Sequence, residues 1–217
     1  MMTTAPEIVL GVTGSIAAYK AGDLVRALRD EGYTVSCIMT QRATRFIAPT
    51  TLQALSERKV HTDLFDPEDP QILHTAIAEH AKLILVVPAT ANIIGKFANG
   101  LADDLLSCIL LAAKAKILIA PAMNVHMWQH PIVQRNVTML KRLGVRFIGP
   151  EVGKLVCGYE AIGHLAAPEE IVRMVKQWTP PNPPHPLVTS TAAQRPKRSQ
   201  AASKSSRSSS GKRKARR

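Results

Sequence analysis

The sequence predicts a doubly wound α/β domain, in which helices cover both faces of a parallel β-sheet. Several short apolar runs lack the alternation of a half-exposed strand, and this is typical of strands that are buried on both faces. Segments with helical spacing separate these runs along the chain, as the crossovers of a parallel sheet require. At 217 residues, the chain is also long enough to bury one large core.

The first predicted unit is a strand, a helix and a second strand at the N-terminal end. The first strand covers Glu7–Gly11, and Gly32 is expected to end the helix that comes next. The second strand covers Thr34–Thr40, so the unit has the length of a βαβ motif. The helix is predicted from apolar residues that share one face, namely Ala17, Ala21, Leu24, Val25 and Leu28.

The later elements continue the alternation of strands and helices. Three further strands are predicted, over Lys82–Pro88, Ala115–Ala120 and Val145–Gly149. Three further helices are predicted, over Leu101–Ala113, Pro131–Leu143 and Pro168–Trp178, and a proline suits the first turn of a helix. The segment Gly153–Gly163 has spaced glycines and no clear period, so a loop is expected there.

The net charge of +12 is concentrated at the C-terminal end of the chain. Residues 179–217 hold 10 of the 28 Lys and Arg residues and none of the 16 Asp and Glu residues. We therefore expect a folded domain over 1–178 that is close to neutral, followed by a proline-rich linker and a disordered basic Ser/Lys/Arg tail over 179–217. The tail is a candidate for weak contact with acidic surfaces or nucleic acid.

The cysteines and the apolar runs indicate a cytoplasmic protein without a membrane partner. Cys37, Cys108 and Cys157 are too few and too scattered for a disulfide framework. Cys37 and Cys108 lie in apolar runs and are expected to be buried. No signal peptide and no apolar run of membrane-spanning length is visible. No cysteine pair or histidine motif predicts a metal site.

A glycine loop, Gly11–Ala18, joins the first strand to the first helix. Glycines permit a tight turn, and the N–H groups at the start of a helix attract phosphate. The whole loop, which includes Gly14, Ser15 and Ile16, matches neither the dinucleotide fingerprint nor the P-loop. Alternatively, the role of Ser15 could be limited to capping the helix. Phosphate binding and helix capping both stay open at this point.

Two Pro-Ala turns come after other predicted strands. They are Pro88–Asn92 and Pro121–Asn124, and each places an Asn near the end of an apolar run. Because the carboxyl ends of parallel strands meet at one edge of a sheet, both turns should lie beside the glycine loop. This convergence predicts a polar pocket for a phosphorylated and largely planar ligand.

Two further side chains are candidates for proton transfer. His74 precedes the strand at Lys82, and histidine is the usual proton carrier near neutral pH. The alternative, a histidine on the surface of a helix, fits His80 better than His74. Cys157 lies in the predicted loop, where a cysteine can act as an acid or a nucleophile.

Four segments together resemble the homo-oligomeric flavin-containing cysteine decarboxylases. They are Gly11–Lys20, Pro88–Asn92 with Lys96–Leu105, Pro121–Trp128 and Val156–Gly158, in the order of the family. The resemblance extends from about Glu7 to Met174. It implies a Rossmann-like, flavodoxin-like fold.

The resemblance implies the site residues and their roles. In this family, the residue at His74 is the catalytic base, the residue at Asn124 contacts the substrate carboxylate, and the residue at Cys157 donates the last proton. The residues implied to bind FMN are Gly14, Ser15, Ile16, Thr40, Thr90, Asn92, Ala122 and Met123. The residues implied to bind substrate are Asn124, Gly158, Gly163 and His164.

The implied activity is the FMN-dependent decarboxylation of 4′-phosphopantothenoylcysteine to 4′-phosphopantetheine in coenzyme A biosynthesis. The flavin first oxidises the thiol-bearing carbon of the substrate. The carbanion that forms when CO₂ leaves can then delocalise onto the sulfur. The family assembles as trimers or trimer-based dodecamers with FMN at a subunit interface. A separate phosphopantothenate–cysteine ligase is expected upstream in the pathway.

Three other functions stay open. A peptidyl-cysteine decarboxylase would share the fold, but such relatives lack the cysteine that Cys157 provides. A flavin-binding regulatory subunit without activity is disfavoured because His74, Asn124 and Cys157 are all present. The substrate loop nevertheless departs from the family pattern, with Ala161 in place of a glycine and His164 in place of an arginine. A flavin prenyltransferase is the least favoured, since it should lack the Pro-Ala-Met-Asn motif.

Overall fold

Five parallel strands form the central sheet in the computed structural model of the protein, in the order β2-β1-β3-β4-β5. The structure describes residues 7–67, 73–154 and 160–181. All of them belong to one compact unit, Met1–Pro184. The strands are β1 Glu7–Val12, β2 Thr34–Met39, β3 Leu83–Ala89, β4 Lys116–Pro121 and β5 Arg146–Phe147.

Helices cover both faces of the sheet, because successive residues of each central strand point to opposite sides. In β1, Ile8 and Leu10 join one buried apolar cluster and Val9 joins the other. The predicted fold class is therefore confirmed. The helices are α1 Ala21–Asp30, α2 Pro49–Ser56, α3 Leu73–His80, α4 Ala91–Ala98, α5 Leu105–Ala112, α6 Val125–Gln129, α7 Pro131–Arg142 and α8 Pro168–Trp178, with 3₁₀ turns at Ile16–Lys20 and Ala43–Arg45.

The expectation of a loop over Gly153–Gly163 is wrong at both described ends. β6 (Glu151–Lys154) pairs antiparallel with β7 (Glu160–His164) as a separate two-stranded sheet. Gly163 has φ +142°, a backbone conformation that glycine adopts most readily. A Cβ at Gly163 would also overlap the carbonyl oxygen of Met123, so the glycine lets this strand approach the loop after β4.

Three other expectations are corrected. The helix predicted from Leu101 begins at Leu105, because Gly100 has φ +69° and Asp104 caps the helix. The strand predicted over Val145–Gly149 pairs only at Arg146–Phe147. Cys37 is buried as predicted, but Cys108 is half-buried.

The described residues contain no helix that is both long and apolar enough to span a membrane. Cys157, Gly158 and the tail beyond residue 181 lie outside the described residues. The predicted domain boundary at 178/179 remains a prediction.

Candidate active site

The loops after β1, β3 and β4 are tied together at the carboxyl edge of the sheet. The Ser15 hydroxyl donates to the Ala122 carbonyl oxygen at 3.1 Å. The Thr13 hydroxyl donates to the Pro88 carbonyl oxygen at 2.7 Å and accepts from the backbone N–H of Thr90 at 3.1 Å. The glycine loop and the two Pro-Ala turns therefore form one hydrogen-bonded rim.

Two adjoining cavities open on this rim. The β2-side cavity, about 490 Å³, is lined by Met39–Arg42 after β2 together with Thr13, Thr62 and Asn92 among others. The β4-side cavity, about 460 Å³, is lined by Ala122–Asn124 after β4 together with Ile16, Ala17 and residues of β7 among others. Gly14, Thr90 and Met127 line both cavities, so the two spaces are neighbours.

Gly14 lies where the loop after β1 meets the loop after β2. A Cβ at Gly14 would lie 2.6 Å from the Cβ of Arg42 and 3.2 Å from its carbonyl oxygen. Such distances are shorter than van der Waals contact, and the second neighbour is backbone that cannot simply rotate away. Any side chain here would push the two loops apart and change both cavities.

Ser15, Thr40 and Thr90 use their hydroxyls to fix these turns. Ser15 caps the 3₁₀ turn by accepting from the N–H of Ala17 at 3.4 Å, and Thr90 caps α4 by accepting from the N–H of Ile93 at 3.5 Å. Thr40 accepts from the N–H of Ala43 at 3.3 Å. The capping interpretation of Ser15 is thus compatible with its place on the cavity wall.

Asn124 is the N-cap of α6 and lies on the wall of the β4-side cavity. Its Oδ1 accepts from the N–H of His126 at 2.8 Å, which fixes the orientation of the amide. The N–H of Met123 donates to the Gly163 carbonyl oxygen at 3.1 Å, so β7 is bonded to the same loop. Asn124, Gly163 and His164, three of the residues predicted to bind substrate, therefore line one cavity.

Lys20 and His164 meet on the wall of the β4-side cavity. The Lys20 Nζ lies 3.1 Å from Nε2 of His164. Because an ammonium group can only donate, Nε2 is the acceptor of this hydrogen bond. Lys20 could not be identified as a site residue from the sequence, because only the fold brings it to residue 164.

Lys96, Asp103 and Asp104 form a second charged group, on the wall of the β2-side cavity. The Lys96 Nζ lies 2.6 Å from Asp103 Oδ1 and 2.7 Å from Asp104 Oδ2. Burial opposes the charged forms, but the mutual hydrogen bonds and attraction outweigh it, raising the pKa of Lys96 and lowering the pKa of Asp104. Asp104 also accepts from the N–H of Ser107 at 2.8 Å, so this group joins the cavity wall to the start of α5.

His74 is not among the described residues that line either cavity. It is in the first turn of α3 and is half-buried, and α3 packs against α5. His80 is exposed and bonds to the carbonyl oxygen of Ala76 in its own helix, as expected of a surface histidine. Residues 7–67, 73–154 and 160–181 contain no group of three His, Cys, Asp or Glu side chains that could hold a metal ion.

The strand order 2-1-3-4-5 and the position of the cavities define the class of protein. In doubly wound sheets of this order, the ligand binds at the switch point between β1 and β3, outside the carboxyl ends of the strands. Both cavities lie at that point. The model of the family described as Flavoprotein matches residues 1–180, and the chain belongs to this family.

Three known proteins are similar to this chain in sequence or in structure. The coenzyme A biosynthesis bifunctional protein CoaBC of Bacillus subtilis is 49% identical over 172 residues, which are 79% of this chain and 42% of that protein. A solved PPC decarboxylase mutant complexed with pantothenoylaminoethenethiol has a TM-score of 0.72 and 31% identity, covering 79% of this chain and 97% of that one. The FMN-dependent cysteine decarboxylase SpaF has a TM-score of 0.70 and 31% identity, and the match covers 79% of this chain and 96% of SpaF. The chain thus spans less than half the length of the bifunctional relative.

Proposed function

We propose that the chain is a phosphopantothenoylcysteine decarboxylase, which uses FMN to convert 4′-phosphopantothenoylcysteine into 4′-phosphopantetheine. One observation carries this proposal. The eight residues implied to bind FMN come from four separate loops, and all of them line the two adjoining cavities. The bifunctional coenzyme A biosynthesis relative and the solved PPC decarboxylase support the choice of substrate.

The two cavities suit different parts of FMN. The β4-side cavity has largely apolar walls, including Ile16, Ala122 and Met123, which suit a planar ring system. The β2-side cavity offers the hydroxyls of Thr40 and Thr62 and the guanidinium of Arg42, which suit a ribityl phosphate. Gly14, between the cavities, leaves room for the backbone to approach the ligand closely.

Bound FMN would supply the two-electron oxidation of the thiol-bearing carbon and the later return of those electrons. Asn124 would contact and orient the departing carboxylate through its side-chain amide, whose Oδ1 also caps α6. His74 would accept a proton at the oxidation step. Cys157 would donate a proton to the ene-thiol that remains after CO₂ has left.

His74 could reach this site from a second copy of the chain. The wall of the β4-side cavity carries Ile16, Tyr19 and Met127, and these residues are 56%, 60% and 49% exposed. Exposed apolar residues around a pocket favour burial against another protein surface. We infer a homo-oligomer, a trimer or a trimer-based dodecamer, in which a neighbouring copy completes the site.

The test is to purify the full chain, record its flavin spectrum and identify the bound flavin. CO₂ release is then measured with 4′-phosphopantothenoylcysteine and, in parallel, with a peptide that ends in cysteine. We expect bound FMN, CO₂ from the small substrate and 4′-phosphopantetheine as the product. A protein that fails to bind added FMN would contradict the proposal.

The same measurement separates the two alternatives. A preference for the peptide would identify a peptidyl-cysteine decarboxylase, and bound FMN without CO₂ from either substrate would identify a regulatory subunit.

Cys157→Ser should release CO₂ from the small substrate but yield a product two hydrogens short of phosphopantetheine, because a serine hydroxyl is a much weaker acid than a thiol. Normal phosphopantetheine from this variant would remove Cys157 from the mechanism.

A further inference from the structure

Lys20 and His164 form an unusual pair on the wall of the β4-side cavity. Both side chains are half-buried, and their nitrogens are 3.1 Å apart. Among the described residues that line this cavity there is no carboxylate. Two basic side chains in direct contact, in a cavity wall without a described acid, favour an anionic ligand.

The pair retains several donors for such a ligand. The Lys20 ammonium has three N–H donors, of which one points to His164. The His164 ring, which accepts at Nε2, carries its own proton on Nδ1 and can donate there. No ion pair joins Lys20 to a carboxylate within the described residues.

Hydrogen-bonded elements hold both members of the pair in place. Lys20 ends the 3₁₀ turn that begins after Ser15, and Ser15 is bonded to the Ala122 carbonyl oxygen at 3.1 Å. His164 ends β7, whose Gly163 carbonyl oxygen accepts from the N–H of Met123 at 3.1 Å. The two basic groups are thus fixed relative to the loop that carries Asn124, so little order must be gained on binding.

We propose that Lys20 and His164 together bind the phosphate group of the substrate and not its reacting carboxylate. This proposal rests on the proposed function. A cation held against the carboxylate would stabilise the charged ground state and oppose the loss of CO₂, whereas the phosphate is unchanged by the reaction. The pair therefore determines the specificity for a phosphorylated substrate, and the carboxylate is left to the neutral amide of Asn124.

The test compares 4′-phosphopantothenoylcysteine with its dephosphorylated form, pantothenoylcysteine, using the FMN-loaded full chain. A hydrogen bond to a charged group contributes about 1.5–3 kcal/mol, so Lys20→Met should lower kcat/KM for the phosphorylated substrate by about ten- to a hundredfold. His164→Gln should act in the same direction. Neither variant should change kcat/KM for pantothenoylcysteine by more than about threefold.

Two further variants serve as controls for a loss of activity that is caused only by disturbed folding. His164→Arg replaces the ring with a permanent cation that can also bind phosphate and should retain the preference for the phosphorylated substrate. Lys114→Met removes an exposed lysine before β4, at the opposite edge of the sheet, and should leave both substrates unaffected. Equal losses for both substrates in Lys20→Met, or a loss of FMN affinity with unchanged substrate preference, would overturn the proposal.

A binding measurement distinguishes failure of this inference from failure of the proposed function. Calorimetric titration of the FMN-loaded protein with 4′-phosphopantetheine and with pantetheine requires no turnover. Tighter binding of the phosphorylated compound that disappears in Lys20→Met would support the phosphate site even in a protein without decarboxylase activity. Equal affinity for the two compounds in the unaltered protein would refute it.

Discussion

Asn124 has a structural role in the described fold, and the proposed function would add a chemical one. Its Oδ1 caps α6 by accepting from the N–H of His126 at 2.8 Å. Aspartate is an equally good N-cap, so Asn124→Asp should keep the turn while placing a negative charge on the cavity wall. We expect a loss of CO₂ release of at least about a hundredfold, because like charges repel strongly in a partly buried site.

The measurement for Asn124→Asp is kcat/KM for CO₂ release together with thermal unfolding of the FMN-loaded protein. The midpoint of unfolding should change little, since the cap is preserved. Asn124→Ala is the matched control, because it removes both the cap and the amide and should lower activity and stability together. Unchanged activity in Asn124→Asp would show that this residue does not contact the carboxylate.

Substitution of Gly14 would show whether the close approach of the loops after β1 and β2 is needed for flavin binding. In Gly14→Ala, the new Cβ would lie 2.6 Å from the Arg42 Cβ, and the loops must separate to relieve the overlap. We expect the Kd for FMN to rise at least tenfold. In the control Gly95→Ala, within α4, the nearest atom to the new Cβ would be Nδ2 of Asn136 at 3.8 Å, so FMN binding should be unchanged and stability should rise by up to about 1 kcal/mol. Fluorescence titration measures both affinities.

At the residue scale, site residues were predictable from the sequence where they stand immediately after a strand. Gly14, Thr90 and Asn124 could be placed because each comes just after an apolar strand, and such strand ends meet at one edge. The contact between Lys20 and His164 could not be predicted, since 144 positions separate the two residues and β7 was expected to be a loop. Arg42 was missed because an exposed arginine after a strand carries no signal of its own.

At the scale of elements, α5 depends on the charged group at its N-terminus. Asp104 caps the helix through Ser107 and also contacts Lys96 at 2.7 Å. Asp104→Ala should lower the free energy of unfolding by about 1–2 kcal/mol, because loss of an N-cap alone costs about that much. Asp103→Ala is the matched control; its side chain is 66% exposed, so its effect should stay below about 1 kcal/mol. Urea denaturation measures both.

The lowered pKa of Asp104 also gives this element a pH dependence. A carboxyl group whose pKa is lower in the folded state stabilises the fold above its unfolded pKa of about 3.9, and this contribution is lost as the pH falls through the lower folded value. The destabilisation caused by Asp104→Ala should therefore be smaller at pH 3 than at pH 7. An equal difference at both pH values would show that the charge of Asp104 does not contribute.

Element boundaries were predictable where a terminal signal is local. Pro168–Trp178 was predicted at both ends, with proline at its start. The start of α5 at Leu105 was available from Asp104 and Ser107, which form a capping box, but the apolar run from Leu101 suggested a longer helix. The hairpin of β6 and β7 was not recognisable, because its glycines obscure alternation and its pairing depends on distant contacts.

At the scale of the whole molecule, the basic tail should be separable from the proposed decarboxylase activity. The Thr179 carbonyl oxygen accepts from the buried hydroxyl of Tyr33, so the last necessary residue lies close to Thr179. Deletion of residues 182–217 should leave CO₂ release and unfolding unchanged. Deletion from residue 179 onwards should cost about 1–2 kcal/mol, because the Tyr33 hydroxyl loses its partner. Loss of assembly after the shorter deletion, measured by light scattering, would instead give the tail a structural role.

The position of His74 outside both cavities leads to a test of the assembly itself. If His74 of one copy serves the site of its neighbour, a site needs His74 from one chain and Asn124 from another. His74→Asn and Asn124→Asp should each be inactive alone. In a mixture of equal amounts of the two variants, about a quarter of the sites should be active, because each interface joins two different surfaces and each surface carries its intact residue in about half of the cases. If both residues act within one chain, no hybrid site contains both, and the mixture stays inactive. Co-expression of the unaltered chain with the double variant is the matched control: about a quarter of the sites should be active if they are shared, and about half if they are not. CO₂ release per bound FMN in the unfractionated mixture of co-expressed chains, with equal amounts of the two chains verified through two different tags, measures these fractions.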